Sequence, residues 1–586
     1  MISRIFDIPF HFHAKFPKVD ALASKVNGSW KLYSTADFLM YANKVSLGLM
    51  QMGLKKDDKV AIISNNRPEW NFVDIGMQQI GVVSVPIYTT LSENEISFIL
   101  NDCGARAIFI SDSVLFEKIS NLKAKVPALT DLFTFDKVSG ARHWTEILAE
   151  PSTDDQVRLD SLRKNVEPGD LATLLYTSGT TGTPKGVMLS HNNIVSNVLA
   201  SEKLCPVDSR HKALSFLPLC HSYERMLTYL YMYIGVSIYY AETMETIADN
   251  LKEIKPDLFS TVPRLLEKTY DKITKKGSEL TGIKKILFFW ALELGLKYEL
   301  NGKNGFWYEY QLKIANKLIF SKWREALGGN IKVIVSGGAA LQPRLAKVFW
   351  AAGVHVLEGY GLTETSPVIA VNNLEERGAM FGTVGPVIKG VQVKIAEDGE
   401  ILCKGPNVMI GYFKRPDLTA EVVDAEGWFH TGDIGVMVDN HYLKITDRKK
   451  EIFKTSGGKF IAPQALENKF KESSFIEQLM VIGEHRNFAA ALVVPSFAHL
   501  RSWCELKGIP DASNEELIRN PEIISRLEKE VEEYNQFFGK TEQLKKIKLL
   551  PKEWTVDSGD LTATLKLKRK IITERNLKLI EEIYSS

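Results

Sequence analysis

The run Tyr176-Thr177-Ser178-Gly179-Thr180-Thr181-Gly182-Thr183-Pro184-Lys185-Gly186 gathers hydroxyls, glycines and one lysine into a short segment after the apolar run Leu171 to Tyr176. Glycine lets a backbone come close to a ligand and turn its N–H groups toward it. The hydroxyls add short donors and Lys185 adds a point charge. This chemistry suits a polyphosphate. The segment is not the common nucleotide P-loop, which needs Gly-Lys-Ser/Thr opening a helix. Here Lys185 follows Pro184 and precedes Gly186. Clusters of Gly, Ser, Thr and Pro are ordinarily surface turns, so the reading depends on what the rest of the chain carries.

Five further strings follow in order. They are Ser215-Phe-Leu-Pro-Leu-Cys-His-Ser-Tyr-Glu-Arg225, Glu358-Gly-Tyr-Gly-Leu-Thr-Glu-Thr365, Gly427-Trp-Phe-His-Thr-Gly-Asp433, the charged run Lys444 to Lys459, and Leu561-Thr-Ala-Thr-Leu-Lys-Leu-Lys-Arg-Lys570. A weaker piece, Ser336-Gly-Gly-Ala339, lies upstream of the second. Together with the first string, these resemble the adenylate-forming superfamily, which joins a carboxylic acid to AMP and passes the acyl group to a thiol. Leu-Pro-Leu-x-His-x-x-Glu-Arg and Asp-Arg-Lys-Lys-Glu-Ile-Phe-Lys are similar to long-chain fatty acid–CoA ligases in particular. The likeness runs from about Ser34 onward.

The resemblance implies roles for individual residues. Thr177, Ser178, Gly179, Thr180, Thr181, Gly182 and Lys185 match the phosphate loop, and Gly338 and Ala339 the wall of the adenine and acyl pocket. His221 matches the residue lining the acyl carboxylate site, where imidazole can hydrogen-bond a carboxylate without a permanent charge. Tyr360 matches the ring that stacks on adenine, with Gly361 beside it; Thr363 matches the donor to the α-phosphate and Glu364 the Mg²⁺ ligand. Asp433 and Arg448 match the ribose contacts, and Asp447 the hinge. Gly457 and Gly458 would admit the pantetheine arm of coenzyme A, with Lys454 and Lys450 as phosphate contacts. Lys566 aligns with the adenylation lysine. The long-chain ligases commonly carry proline where Ala563 stands, a departure that bears on loop stiffness. Cys220 reads as structural, and Lys568, Arg569 and Lys570 read as no more than solubilising charge. Trp428 and Phe429 read as core.

To position these residues the chain needs strands that end near them. Asp58 to Ser64, Val82 to Ile87, Ala105 to Ser111, Pro256 to Thr261, Ile331 to Ser336 and Val354 to Leu357 read as strands, with helices over Pro68 to Ile80 and Gln342 to Ala352. Strand–helix–strand units of this spacing predict α/β architecture with parallel sheets covered by helices, and ligands gather at the carboxyl ends of such strands. From Gly382 the texture turns to short strands and Gly turns. A large domain over 1–446 is therefore expected, with a β-rich subdomain at about 382–446, then a small α+β domain over 447–586, which the resemblance implies is mobile and bears the lysine loop.

At 586 residues two or more domains are expected. A net charge of +2 argues against a nucleic-acid binder. Five cysteines without a Cys-x-x-Cys pair give neither a disulfide framework nor a zinc site, which fits a cytoplasmic setting. No signal peptide is visible over Met1 to Asp20. Met226 to Tyr240 reads as a buried helix running into a strand; Ile286 to Leu296, among lysines, reads as a core helix, with a membrane-surface helix as the alternative. The expected substrates are a long-chain fatty acid, ATP and coenzyme A, with Mg²⁺. Two other readings stay open: a ligase that loads a carrier protein, and a non-catalytic sensor, although Lys566, Glu364 and Lys185 are all present. Peripheral contact with the inner face of a membrane and a homodimer also stay open.

Overall fold

The computed structural model describes residues 2–178, 184–556, 558–562 and 566–585. Gly179, Thr180, Thr181 and Gly182 lie outside the described residues, as does Ala563. The chain divides into two compact units. The first comprises Met1–Lys394, Leu402–His430 and Asp439–Leu443; the second comprises Ile395–Ile401, Thr431–Val438 and Lys444–Ser586.

Two eight-stranded sheets dominate the described part of the first unit. One runs Val368–Val371, His355–Gly361, Val333–Ser336, Leu258–Thr261, Lys212–Ser215, Ser237–Tyr240, Leu22–Val26, Ser29–Tyr33. Its interior pairs are parallel and its two edge pairs antiparallel. The other runs Gly411–Tyr412, Pro184–Ser190, Leu171–Ser178, Val83–Pro86, Lys59–Ile63, Ala107–Ile110, Asp131–Thr134, Arg142–His143. Val83–Pro86 and Ala107–Ile110 are buried at every position. That is why they read as continuous apolar runs, since a parallel sheet is covered on both faces.

The expected strands and helices of the first two-thirds are present within a few residues of their predicted ends. One strand is longer than its apolar core suggested: His355–Gly361 continues past Leu357 because Gly359 and Tyr360 pair antiparallel with Val371 and Ala370. An edge hairpin, Leu22–Val26 with Ser29–Tyr33, escaped the sequence reading although its two-residue Asn27-Gly28 turn is a strong hairpin signal. Met226 to Tyr240 is the helix Ser222–Ile234 followed by the buried strand Ser237–Tyr240. Ile286 to Leu296 lies in the helix Gly282–Leu296, whose Phe288, Ala291 and Leu292 join the core with Phe320 and Trp323. No helix among the described residues is long and apolar enough to cross a membrane.

Gln392–Ile395, Glu400–Lys404, Phe429–Val438 and Tyr442–Arg448 form a four-stranded sheet in that order. The second unit also holds a three-stranded sheet, Ile476–Ile482, Ala490–Pro495 and Lys546–Leu549. It packs with the helices Pro463–Phe470 and Pro521–Asn535 around Leu479, Val493 and Leu527.

Candidate functional site

The described ends of the phosphate-loop string lie on two antiparallel strands. Leu171–Ser178 pairs with Pro184–Ser190, with Tyr176 opposite Gly186 and Thr177 opposite Lys185. Lys185 therefore stands on a strand, its backbone fixed by the ladder. A third strand, Gly411–Tyr412, adds to the hairpin with Tyr412 opposite Val187. Tyr412 brings two expected residues together. Its ring lies 5.2 Å from Lys185 Nζ, and its hydroxyl donates to Glu364 Oε1 at 2.9 Å. Burial, then the Glu364 charge, push the Tyr412 phenol up, so it remains a donor. Asn193 secures the approach to this strand: it completes the capping box of the helix His191–Ser201 with Ser190, and its amide donates to Pro406 O and Val408 O at 2.7 and 2.9 Å.

Glu364 and Thr363 lie in the 3₁₀ turn Thr363–Thr365 directly after the long strand. Met409 N donates to Glu364 O at 2.8 Å, and the Asn407 amide donates to Thr365 O at 3.1 Å, so the turn is tied from outside as well. Gly361 is required where it stands: a Cβ there would lie 1.7 Å from Pro367 O. Tyr360, just before it, occupies the antiparallel ladder. Gly338 has φ +82°, a left-handed conformation natural to glycine, and Ala339 beside it is exposed. The buried Glu358 carboxylate accepts from Leu341 N at 3.1 Å and so ties the end of that glycine turn to the base of the Tyr360 strand; burial pushes its carboxyl up to about 8.

His221 is the N-cap of the helix Ser222–Ile234. Its Nδ1 accepts from Tyr223 N at 3.2 Å, so in the neutral ring the proton resides on Nε2, the donor a carboxylate needs. The next residue reaches the 3₁₀ turn, with Ser222 Oγ 3.5 Å from Thr363 Oγ1. Glu224 and Arg225, which the sequence reading left without roles, fix this helix in place. Glu224 is fully buried and accepts from Ser215 at 2.6 Å and from Ser260, both on the first sheet. Burial pushes its carboxyl up to about 7 while the two serine hydroxyls pull it back. Arg225 donates to Asp74 Oδ1 at 2.5 Å, to Tyr229 Oη at 2.8 Å and to Thr173 Oγ1 at 2.7 Å. Thr173 is on the strand leading into the phosphate hairpin. The only advance signal for this clamp was an acid–base pair on an otherwise apolar helix face. Cys220 is buried and its thiol is pushed up to about 12, as expected of a structural residue.

In the second unit, Arg448 Nε donates to Asp433 Oδ1 at 2.8 Å across neighbouring strands. Lys449 steadies the strand at Gly432, next to Asp433. It pairs with Glu400 Oε2 at 2.7 Å, and Glu400 Oε1 accepts from Gly432 N at 2.9 Å. Asp447 is buried and accepts from Arg448 N at 2.6 Å and Gln464 N at 3.2 Å; burial pushes its carboxyl up to about 6. Gly457 and Gly458 form the turn of the hairpin Phe453–Lys454 with Phe460–Ile461, where Lys454 Nζ sits 4.5 Å from the Phe460 ring centroid. Lys566 is exposed: its N donates to Thr562 Oγ1 at 3.0 Å and its O accepts from Thr562 N at 2.8 Å. Arg569 corrects the solubilising reading. It pairs with Glu451 at 3.0 Å and Glu467 at 2.7 Å, anchoring the loop's exit to the body of the unit.

Comparison with known proteins decides the family. The AMP-binding enzyme family matches residues 10–413, and the AMP-binding enzyme C-terminal domain matches residues 450–586. The chain belongs to the AMP-binding enzymes. Among its relatives, the long-chain-fatty-acid–CoA ligase FadD15 of Mycobacterium bovis is 32% identical over 96% of this chain and 93% of its own length. Human long-chain-fatty-acid–CoA ligase 1 is 33% identical over 92% of this chain and 81% of its own. The fold is shared with ATP-bound MatB from Rhodopseudomonas palustris, at TM-score 0.72 and 21% identity over 98% of this chain and 99% of that one.

Members of this family work with magnesium, and the residues present fit that ion. Among the described residues no group of three or more His, Cys, Asp or Glu side chains could hold a metal alone. Mg²⁺ asks for less, one or two carboxylates completed by phosphate oxygens and water. Glu364 offers a hard oxygen donor already oriented by a neutral hydroxyl, within one side chain of Lys185.

Proposed function

We propose that this AMP-binding enzyme is a long-chain fatty acid–CoA ligase. Full-length agreement, through both units, with relatives that bear that name carries the reading. The Lys185–Tyr412–Glu364 arrangement supports it, because a sensor without chemistry has no need of an oriented carboxylate beside a phosphate-binding lysine.

In the first half-reaction an oxygen of the fatty acid carboxylate attacks the α-phosphorus of ATP, and the bond to pyrophosphate breaks. Two anions must meet, so positioning and charge neutralisation carry the rate. His221 orients the carboxylate through Nε2–H. Lys185 holds the leaving phosphates together with Thr177, Ser178, Gly179, Thr180, Thr181 and Gly182. Thr363 donates to an α-phosphate oxygen. Tyr360 stacks on adenine beside Gly361, against the wall formed by Gly338 and Ala339, and Asp433 with Arg448 takes the ribose. Magnesium held by Glu364 would reduce the repulsion among phosphate oxygens. Lys566 neutralises charge between carboxylate and α-phosphate.

In the second half-reaction the thiolate of coenzyme A attacks the acyl carbon, and the bond to AMP breaks. Residues 447–586 act as a mobile domain that turns about Asp447, withdrawing Lys566 and presenting Gly457, Gly458 and Lys454 to the pantetheine arm. The enzyme works on the cytoplasmic side in peripheral contact with a membrane, where long-chain acids partition; a homodimer is the competing use of exposed apolar surface.

Pyrophosphate release over a panel of acids from acetate to stearate, with and without coenzyme A, tests the reading. Release that peaks with long chains and yields acyl-CoA is expected. Release without thioester product points instead to carrier loading, and no release with any acid overturns the ligase assignment.

A further inference from the structure

Among the described residues, one face of the first unit leaves large apolar side chains exposed. The helix Gly282–Leu296 buries Phe288, Ala291 and Leu292, yet Ile283 and Ile286 stand 75% and 69% exposed. The helix Phe306–Ala315 lies beside it, with Tyr308 Oη donating to Leu294 O at 2.6 Å. It buries Tyr308 and Leu312 and leaves Phe306 86% and Trp307 68% exposed. Trp307, Tyr310 and Ile314 recur at spacings of three and four and so share one face. The Trp307 and Tyr310 rings stack at 5.7 Å. Single exposed apolar residues are ordinary, but a run of large ones on adjoining helices marks a surface that meets something.

The charge around this face says what it meets. Between Lys268 and Trp323 the chain carries eleven lysines against five acidic residues. The whole protein is only +2, so the remainder is net acidic. Lys284 and Lys285 flank the exposed isoleucines, and Lys313 and Lys317 flank the Trp307 stripe; all four are exposed. Apolar and aromatic side chains bordered by lysines match the boundary between acyl chains and anionic headgroups.

We propose that the paired helices Gly282–Leu296 and Phe306–Ala315 dock the enzyme on an anionic phospholipid surface, with Phe306 and Trp307 entering the headgroup boundary and the lysines pairing with lipid phosphates. The proposal rests on the peripheral-membrane reading above and names the surface responsible.

Cosedimentation of the full chain with phosphatidylcholine vesicles, and with vesicles that also contain phosphatidylglycerol, tests it. The unmodified protein is expected to bind the anionic vesicles and to leave them as salt is raised. The paired change Phe306→Ser with Trp307→Ser should weaken binding on the order of tenfold. Lys313→Glu with Lys317→Glu should weaken it by at least about fivefold for each lysine. Because all four side chains are exposed, thermal unfolding and ligase turnover without vesicles should match the unmodified protein. If that protein binds anionic vesicles and both variants bind equally well, this face is not the docking surface, although the peripheral reading survives. If it binds no vesicles, both fall. Equal binding to neutral and anionic vesicles overturns the charge argument. A dimer in light scattering that Phe306→Ser with Trp307→Ser turns into a monomer, with vesicle binding unaltered, assigns the face to a second copy of the chain and overturns the proposal.

Discussion

Lys185 and Lys566 are held in opposite ways. Lys185 stands in a strand ladder and packs against the ring of Tyr412, whose hydroxyl donates to Glu364. Behind it, Arg225 binds the incoming strand at Thr173 and Glu224 binds the other sheet. Lys566 is exposed, its backbone exchanges two hydrogen bonds with Thr562, and Arg569 three residues on is ion-paired with Glu451 and Glu467. A group that grips the same phosphates throughout can be built into a sheet. A group needed in one half-reaction and obstructive in the other belongs on a loop that can be carried away. On the roles proposed above, the backbone setting of each lysine tracks how long it must stay.

The comparison breaks first if the frame behind Lys185 is not rigid. Arg225→Met removes the ion-pair partner of the buried Asp74 and should destabilise the first unit by about 3–5 kcal/mol. Thermal unfolding reads this directly, and partial recovery by adding Asp74→Leu identifies the pair as the cause. An unchanged midpoint would mean the clamp holds nothing.

Lys566→Ala is next. Losing one preorganised charge at the reacting centre should slow adenylation on the order of 100- to 1,000-fold. Thioester formation from supplied acyl-AMP should stay within a few-fold of normal. Equal loss in both half-reactions contradicts a lysine used in only one.

Tyr412→Phe keeps the ring beside Lys185 but removes the hydroxyl from Glu364. Partners that orient a metal ligand are worth on the order of 10-fold in affinity, so the Mg²⁺ concentration for half-maximal binding of a non-hydrolysable ATP analogue should rise by about that much. Unaltered Mg²⁺ dependence would separate Tyr412 from the metal site.

The smallest effect concerns the second unit. Burial raises the Asp447 carboxyl from 3.8 to about 6, so the folded protein holds this proton more tightly than the unfolded chain. Its stabilising contribution is full below pH 3.8 and is lost as pH rises through about 6. Asp447→Asn should flatten that part of the stability–pH curve. A slope that persists belongs to other groups.

Much of this was legible because strands buried on both faces write themselves as apolar runs, as at Ala107–Ile110, and because a glycine that must stand against Pro367 cannot be disguised. The family strings located Lys185, His221, Glu364, Asp433 and Lys566. What joins them was not legible. Tyr412 lies 48 residues from Glu364 and Asp74 lies 151 from Arg225. No local pattern encodes pairings of that range. Nor does the charged run Lys444 to Lys459 show in its composition that Lys449 is paired with Glu400; only the fold does.

The clamp on the Ser222–Ile234 helix also bears on inhibition. His221 opens this helix, and within four residues Glu224 and Arg225 are bonded to two different sheets. A ligand too wide at His221 cannot nudge the helix aside, because any tilt loosens buried polar bonds on both sides at once. Compounds aimed at the carboxylate end should therefore be sorted steeply by shape. Tolerance for variety must be sought at the far end of the acyl chain.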